Sequence, residues 1–174
     1  MSEKRGKIAG NNRGVTLLEL LVVLGILTAL LLSLGASFQG WMEKHKVEGE
    51  AKTLYADLMN ARARAVQRNR VHFVSVASSG YGTFEDTNTV PDGNGVFESA
   101  LDTRIVNAAS AYSIASSLGM PLQFSFSRDG LSSVTCWVRF TSAINQPDYD
   151  CIAITPTRIN LGVFHAATNA CLEK

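Results

Sequence analysis

Glu19 is the only charged residue in the apolar run of residues 15–34, VTLLELLVVLGILTALLLSL, which follows Gly14 directly. A carboxylate costs up to a few kcal/mol at the centre of a membrane helix and less near its end. The chemistry this asks for is neutralisation by a cation from elsewhere, not catalysis. Three thiols, Cys136, Cys151 and Cys171, allow one intramolecular disulfide and leave one thiol over. Arg62, Arg64, Arg68 and Arg70 form a cluster that could meet phosphates, but cations also suit a helix C-terminus, and a solvated face is the preferred reading. A net charge of +1 gives no general support for nucleic-acid binding. His45, His72 and His165 are scattered, with no nucleophile signature and no glycine-rich phosphate loop, so no catalytic residue is assigned. No CxxC or Cys/His cluster implies a metal, and no cofactor is expected. Residues 85–95, EDTNTVPDGNG, are oxygen-rich but lack the Asp/Asn alternation and distal Glu of an EF-hand calcium loop, and read as polar turn residues.

The apolar run is about as long as the ~20 residues a membrane-spanning helix needs. Lys4, Arg5, Lys7 and Arg13 precede it, against Glu3, which keeps the N-terminus cytoplasmic and sends the rest outside. A secretory signal fits poorly, because the run exceeds a typical 7–15-residue h-region and ends in no clear A-x-A site. Helical pattern continues beyond it. Val47, Ala51, Leu54, Leu58, Ala61 and Ala65 recur at steps of four and three, an apolar stripe along one face, and Glu48 and Lys52 pair on a polar face. One helix from about Val15 to Gln67 would be ~80 Å long. Gly35 and Gly40 are its weak points, each costing about 1 kcal/mol relative to alanine.

After Asn69 the pattern changes to short apolar segments between turn residues. Val71–Ala77 reads as a first strand. Residues 122–140 read as a hairpin about Arg128-Asp129-Gly130. Two more strands flank Thr155-Pro156-Thr157. The fold expected is α+β: a long N-terminal helix, half transmembrane and half packed on the head, with a mainly antiparallel β-sheet head wrapped on it. The segments are 1–14, 15–34, 35–69 and a head at 70–174. The cysteines lie in the part expected to be periplasmic, where disulfides persist. Cys136 shares a face with Val134 and Val138, whereas Cys151 points opposite to Ile152 and Ile154. A Cys136–Cys151 bond therefore needs a bulge or register shift.

Gly14-Val15-Thr16-Leu17-Leu18-Glu19 resembles the processing motif of type IV prepilins and type II secretion pseudopilins. The resemblance implies that a prepilin peptidase removes residues 1–14 as a leader by cutting between Gly14 and Val15, and methylates Val15. Glu19 then becomes the assembly carboxylate that pairs with the amino terminus of a neighbouring subunit. Val15 replaces the family's usual phenylalanine, and cutting should survive because the glycine is the more demanding position. Ala36 stands near the place where type IV pilins often carry proline. Leu58 to Val66 with Arg68-Asn69, Phe124 to Gly130, and Ile152 to Gly162 resemble the minor pseudopilin GspH and FimT/FimU group. Thr157-Arg158 stands where that group commonly has Gly-Arg. As in many pilins, a disulfide near the C-terminus, Cys151–Cys171, would tie the tail to the sheet; Cys136–Cys151 stays the alternative.

What the resemblance implies is a minor type IV pilin or minor pseudopilin with the type IV pilin fold. It would sit in the bacterial inner membrane as a single-pass protein with a periplasmic head, then join a pilus or type II secretion pseudopilus. Its partners would be other pilin or pseudopilin subunits, the prepilin peptidase, the inner-membrane assembly platform and the lipid bilayer. The alternative is a FimT-like DNA-binding minor pilin for DNA uptake, for which Arg158 is the basic residue in the last hairpin.

Overall fold

The computed structural model of the 174-residue chain describes residues 15–88, 93–142 and 147–174, with side chains described outside positions 32–39. One helix, α1 (Leu17–Arg68), is followed by nine strands. The chain divides into two compact units, residues 1–39 and 40–174.

In the first unit, the Thr16 hydroxyl accepts a hydrogen bond from the Glu19 N–H at 3.3 Å, and the Thr16 carbonyl accepts the first helical bond, from Leu20 N–H. Thr16 is thus the N-cap, a position that favours a short oxygen-bearing side chain because the first helical N–H groups lack helical acceptors. From Val15 to Leu31 every residue is exposed, with leucine and valine on all sides of the helix. Thr28 turns its hydroxyl back onto the Leu24 and Gly25 carbonyls, so the polar group is satisfied within the helix. Among the described residues, no helix is long and apolar enough to cross a membrane. The span expected at 15–34 runs past Leu31 into positions whose side chains are not described.

In the second unit, the stripe Val47, Ala51, Leu54, Leu58, Ala61 and Ala65 is fully buried, as the 3.6-residue period requires. The helix ends where Asn69 adopts φ 51°. Asn69 N–H donates to the Val66 carbonyl and Arg70 N–H to the Ala65 carbonyl, the Schellman arrangement that satisfies terminal carbonyls. Glu48 departs from the polar face expected of it: it is buried and accepts the Asp148 N–H, while Lys52 and His45 reach it from outside. Burial of a carboxylate is tolerable here because a backbone donor and the Lys52 ammonium face it.

The strands form two antiparallel sheets, not the one wrapped sheet expected. The first holds β1 (His72–Ala77), β2 (Gly80–Glu85), β3 (Thr103–Ala109) and β5 (Leu122–Phe126) in the order β3-β2-β1-β5. The second holds β4 (Ser113–Ser116), β6 (Cys136–Thr141), β7 (Cys151–Ile154), β8 (Ile159–His165) and β9 (Ala170–Glu173), in the order β4-β6-β7-β8-β9. Their inward residues, among them Val74, Val76, Phe124 and Phe126 from one sheet and Val138, Phe140, Ile152 and Ile154 from the other, complete one core with the helix stripe.

The hairpin expected across 122–140 does not form. Its turn exists, with Gly130 at φ 75° and its N–H bonded to the Ser127 carbonyl. Pairing stops after the Phe126–Ser132 bridge and the Ser133–Ser125 bond. Ser132 N–H then donates to the Pro156 carbonyl, in the turn between β7 and β8, and the chain passes to the other sheet. Consequently β5 pairs with β1, and β6 pairs with β4 and β7. Alternation in 122–126 and 134–140 records only that both segments bury one face. That requirement is met equally by neighbours in one sheet and by members of two facing sheets. The β7–β8 hairpin does form, with Ile154 opposite Ile159.

Candidate assembly site at the helix N-terminus

Gly14 lies outside the described residues. Val15 lies two residues before the start of α1, and Glu19 sits in its first turn, exposed, among exposed leucines on all sides. A carboxylate in the first helical turn faces the positive end of the helix dipole. Thr16 and Glu19 also stand in the S/T-x-x-E relation of a capping box, a signal present in the sequence that the spacing to Gly14 overshadowed. The side-chain hydroxyl half of that box is formed. That bond uses the backbone N–H of Glu19, and the Glu19 side chain is exposed.

The head holds the other candidate residues. Cys151 and Cys171 form a disulfide with Cα atoms 5.9 Å apart, and Cys136 is free and buried. Burial raises the Cys136 thiol to about 11, which keeps it protonated and unreactive. Cys136 lies opposite Ile154, and Cys151 opposite Arg139, so the two thiols occupy different faces of the sheet. The disulfide crosses β8 at Gly162, which pairs with Cys151 on one side and Glu173 on the other. A Cβ at Gly162 would lie 2.2 Å from the Leu172 carbonyl oxygen and 3.0 Å from Cys171 Sγ, so only glycine lets β9 curl over here.

Two of the clustered arginines are committed to the fold. Arg68 and Arg70 lie 3.5 and 3.6 Å from the carboxylate of Glu85, whose side chain is almost fully buried. His72, fully buried, points Nε2 at the same carboxylate from 3.9 Å, and Nε2 has no hydrogen-bond partner. Burial lowers the His72 pKa below 6.5 against the opposing pull of Glu85, with Arg64 and Arg68 adding to the lowering. Sequence reading missed this group because Glu85 lies in β2, a strand without a clear alternation. Arg64 donates to Asn60 on its own helix. Arg62 instead reaches the Thr157 carbonyl at 2.9 Å, beside exposed Arg158 in the β7–β8 turn.

The oxygen-rich segment belongs to the β2–β3 connection. Asp86, fully buried, accepts the Asn94 and Gly95 N–H groups, and Asp102 accepts that of Glu98. Asn88 and Asn94 donate to Glu98. These carboxylates organise the loop's own backbone. Among the described residues no group of three or more His, Cys, Asp or Glu side chains could hold a metal ion.

An apolar helix start with an N-capped first turn precedes, in the chain, a β head. Residues 10–35 match the family model of the prokaryotic N-terminal methylation motif, so the chain carries that motif. Two solved structures are similar. The minor pseudopilin EpsH from the type 2 secretion system of Vibrio cholerae is 11% identical over 68% of this chain and 97% of its own, with a TM-score of 0.49. The type IV minor pilin FimU of Pseudomonas aeruginosa is 14% identical over 70% of this chain and 91% of its own, with a TM-score of 0.47. No curated protein sequence matches the chain significantly.

Proposed function

We propose that the protein is a minor type IV pilin or minor pseudopilin, a structural subunit that is cut by prepilin peptidase between Gly14 and Val15 and assembled through its N-terminal helix. The match of residues 10–35 to the methylation motif carries this reading. It is supported by Glu19 in the first turn of a helix whose apolar side chains are exposed all round. Before assembly such a surface belongs in a bilayer, as a single pass with the N-terminus in the cytoplasm and the head in the periplasm. Afterwards it belongs among neighbouring helices. Glu19 would be neutralised by the Val15 amino group of an adjacent subunit, since an unpaired carboxylate in an apolar core is costly. Mass spectrometry of protein from cells that hold the peptidase should show a methylated Val15 terminus, and Gly14→Val should leave the full precursor. An intact Met1 terminus in the unmodified protein overturns the reading.

A second reading, DNA binding, is favoured by the contact that brings Arg62 to the turn of Arg158. It predicts a gel shift of duplex DNA at physiological salt that weakens with Arg158→Ala, whereas a few adventitious phosphate contacts fade between about 50 and 200 mM salt.

A further inference from the structure

Residues 20–42 carry no charge, and Trp41 and Met42 stand at the end of that stretch, just ahead of Glu43, Lys44 and Lys46. At 1.5 Å per residue the stretch makes about 35 Å of helix, slightly more than the ~30 Å hydrocarbon of a bilayer. Trp41 is 57% exposed and Met42 40%, and neither belongs to the core of the head. Steps of four bring Trp41 beside His45 and Met42 beside Lys46, and both of these are exposed as well. The helical period turns all four away from the buried stripe that begins at Val47. The Trp41 ring meets the His45 ring edge-on with centroids 4.3 Å apart, and His45 lies 3.5 Å from the buried Glu48 carboxylate. The indole is thus braced in place without being buried. Glu43 accepts from the Ser142 hydroxyl and Lys44 pairs with Asp148 at 3.0 Å, so the head itself holds these two charges.

An indole has an apolar body and one polar N–H, which suits the boundary between hydrocarbon and water. A lysine one turn further on can lay its methylenes along apolar surface and keep its ammonium among phosphates. We propose that Trp41, Met42 and Lys46 form an interfacial anchor. Trp41 and Met42 sit in the headgroup layer on the periplasmic face of the bilayer, and Lys46 pairs with lipid phosphate. The proposal rests on the membrane-anchored subunit reading and adds to it the depth at which the chain stands before assembly. Lipid contact then runs past the apolar run of residues 15–34 and ends at the first turn of the head-facing helix.

The test uses the full chain in vesicles of phosphatidylcholine and phosphatidylglycerol. Trp137→Phe leaves Trp41 as the only tryptophan, and its fluorescence is read with nitroxides placed on the lipid headgroup or deep in the acyl chain. Trp41 should lose most of its fluorescence to the headgroup nitroxide and little to the deep one or to aqueous iodide. Quenching by iodide but not by the headgroup nitroxide means that the head stands clear of the lipid and overturns the proposal. So does quenching mainly by the deep nitroxide. Lys46→Glu should weaken the headgroup quenching, and unchanged quenching overturns the phosphate contact. Because Trp137 donates to the Asn169 carbonyl, a second variant keeps it: Met42→Cys carrying an environment-sensitive dye should be quenched by the same headgroup nitroxide. The membrane reading is judged separately, by Leu24→Trp in a chain with Trp41→Phe and Trp137→Phe, which the deep nitroxide should quench. If it does and the headgroup nitroxide misses Trp41, the anchor alone fails; if it does not, the membrane reading fails with it.

Discussion

The two described parts of α1 differ in how their apolar residues are arranged, and the difference assigns them different solvents. From Val15 to Leu31, leucine and valine cover every side and all are exposed. From Val47 to Ala65, the apolar residues form one stripe, and the head's own sheets bury it completely. A helix that is apolar all round needs lipid or other helices, whereas an amphipathic one is completed by its own chain. The side chains of the first part stay exposed, and those of the second are part of a core.

The largest expected effect breaks that contrast by placing the same charge in both parts. Leu54→Asp puts an unpaired carboxylate in the sealed core and should cost about 3–5 kcal/mol, a large part of the roughly 5–15 kcal/mol that holds a typical domain folded. Leu24→Asp should leave head folding unchanged. Protease resistance of the head in membranes compares the two, and equal loss would mean that the core does not depend on the stripe.

Next comes the disulfide, which closes a loop between residues 20 apart and should contribute about 3 kcal/mol. Cys171→Ser should lower the unfolding midpoint accordingly. Gly162→Val should do so as well without removing a sulfur, since its side chain would collide with Leu172 and Cys171.

A smaller effect follows from His72. Its folded pKa lies below the unfolded 6.5, so the unfolded chain binds a proton first as pH falls. Stability should therefore drop from pH 6.5 downward until the folded pKa is reached, and be regained as pH rises through that window. Unfolding midpoints measured between pH 8 and 5 should show this slope, and His72→Gln should flatten it in the upper part of the window.

The smallest effect separates the helix cap at Thr16 from the carboxylate of Glu19. Thr16→Ala removes the N-cap and should cost about 1 kcal/mol of helix-start stability. Hydrogen exchange of the first-turn amides in lipid measures that loss. Glu19→Ala should leave head folding intact yet reduce incorporation into filaments or pseudopilin complexes. If Thr16→Ala lowers incorporation equally, first-turn order sets incorporation and the Glu19 charge is not its determinant.

The extent of α1, its buried stripe, the change to strands after Asn69 and the β7–β8 hairpin were all legible along the chain, because each depends on local period or turn chemistry. The spacing of Gly14 and Glu19 falls within residues 10–35, which match the methylation-motif model. The sheet memberships of β5 and β6 were not legible. Alternation fixes which face a strand buries, and two facing sheets around one core satisfy it as well as one sheet does. The same limit hid the partners of Glu48 and Glu85. A carboxylate's neighbours are set by which strand ends and loops arrive beside it, and Asp148 and His72 reach theirs only through tertiary packing. Sequence alone determined that one half of the helix is apolar all round and the other half one-sided, since side-chain chemistry and helical period suffice for that. Tertiary structure alone decided that Arg68 and Arg70 neutralise a buried carboxylate while Arg62 reaches the turn of Arg158, because electrostatic partners are chosen by distance in space.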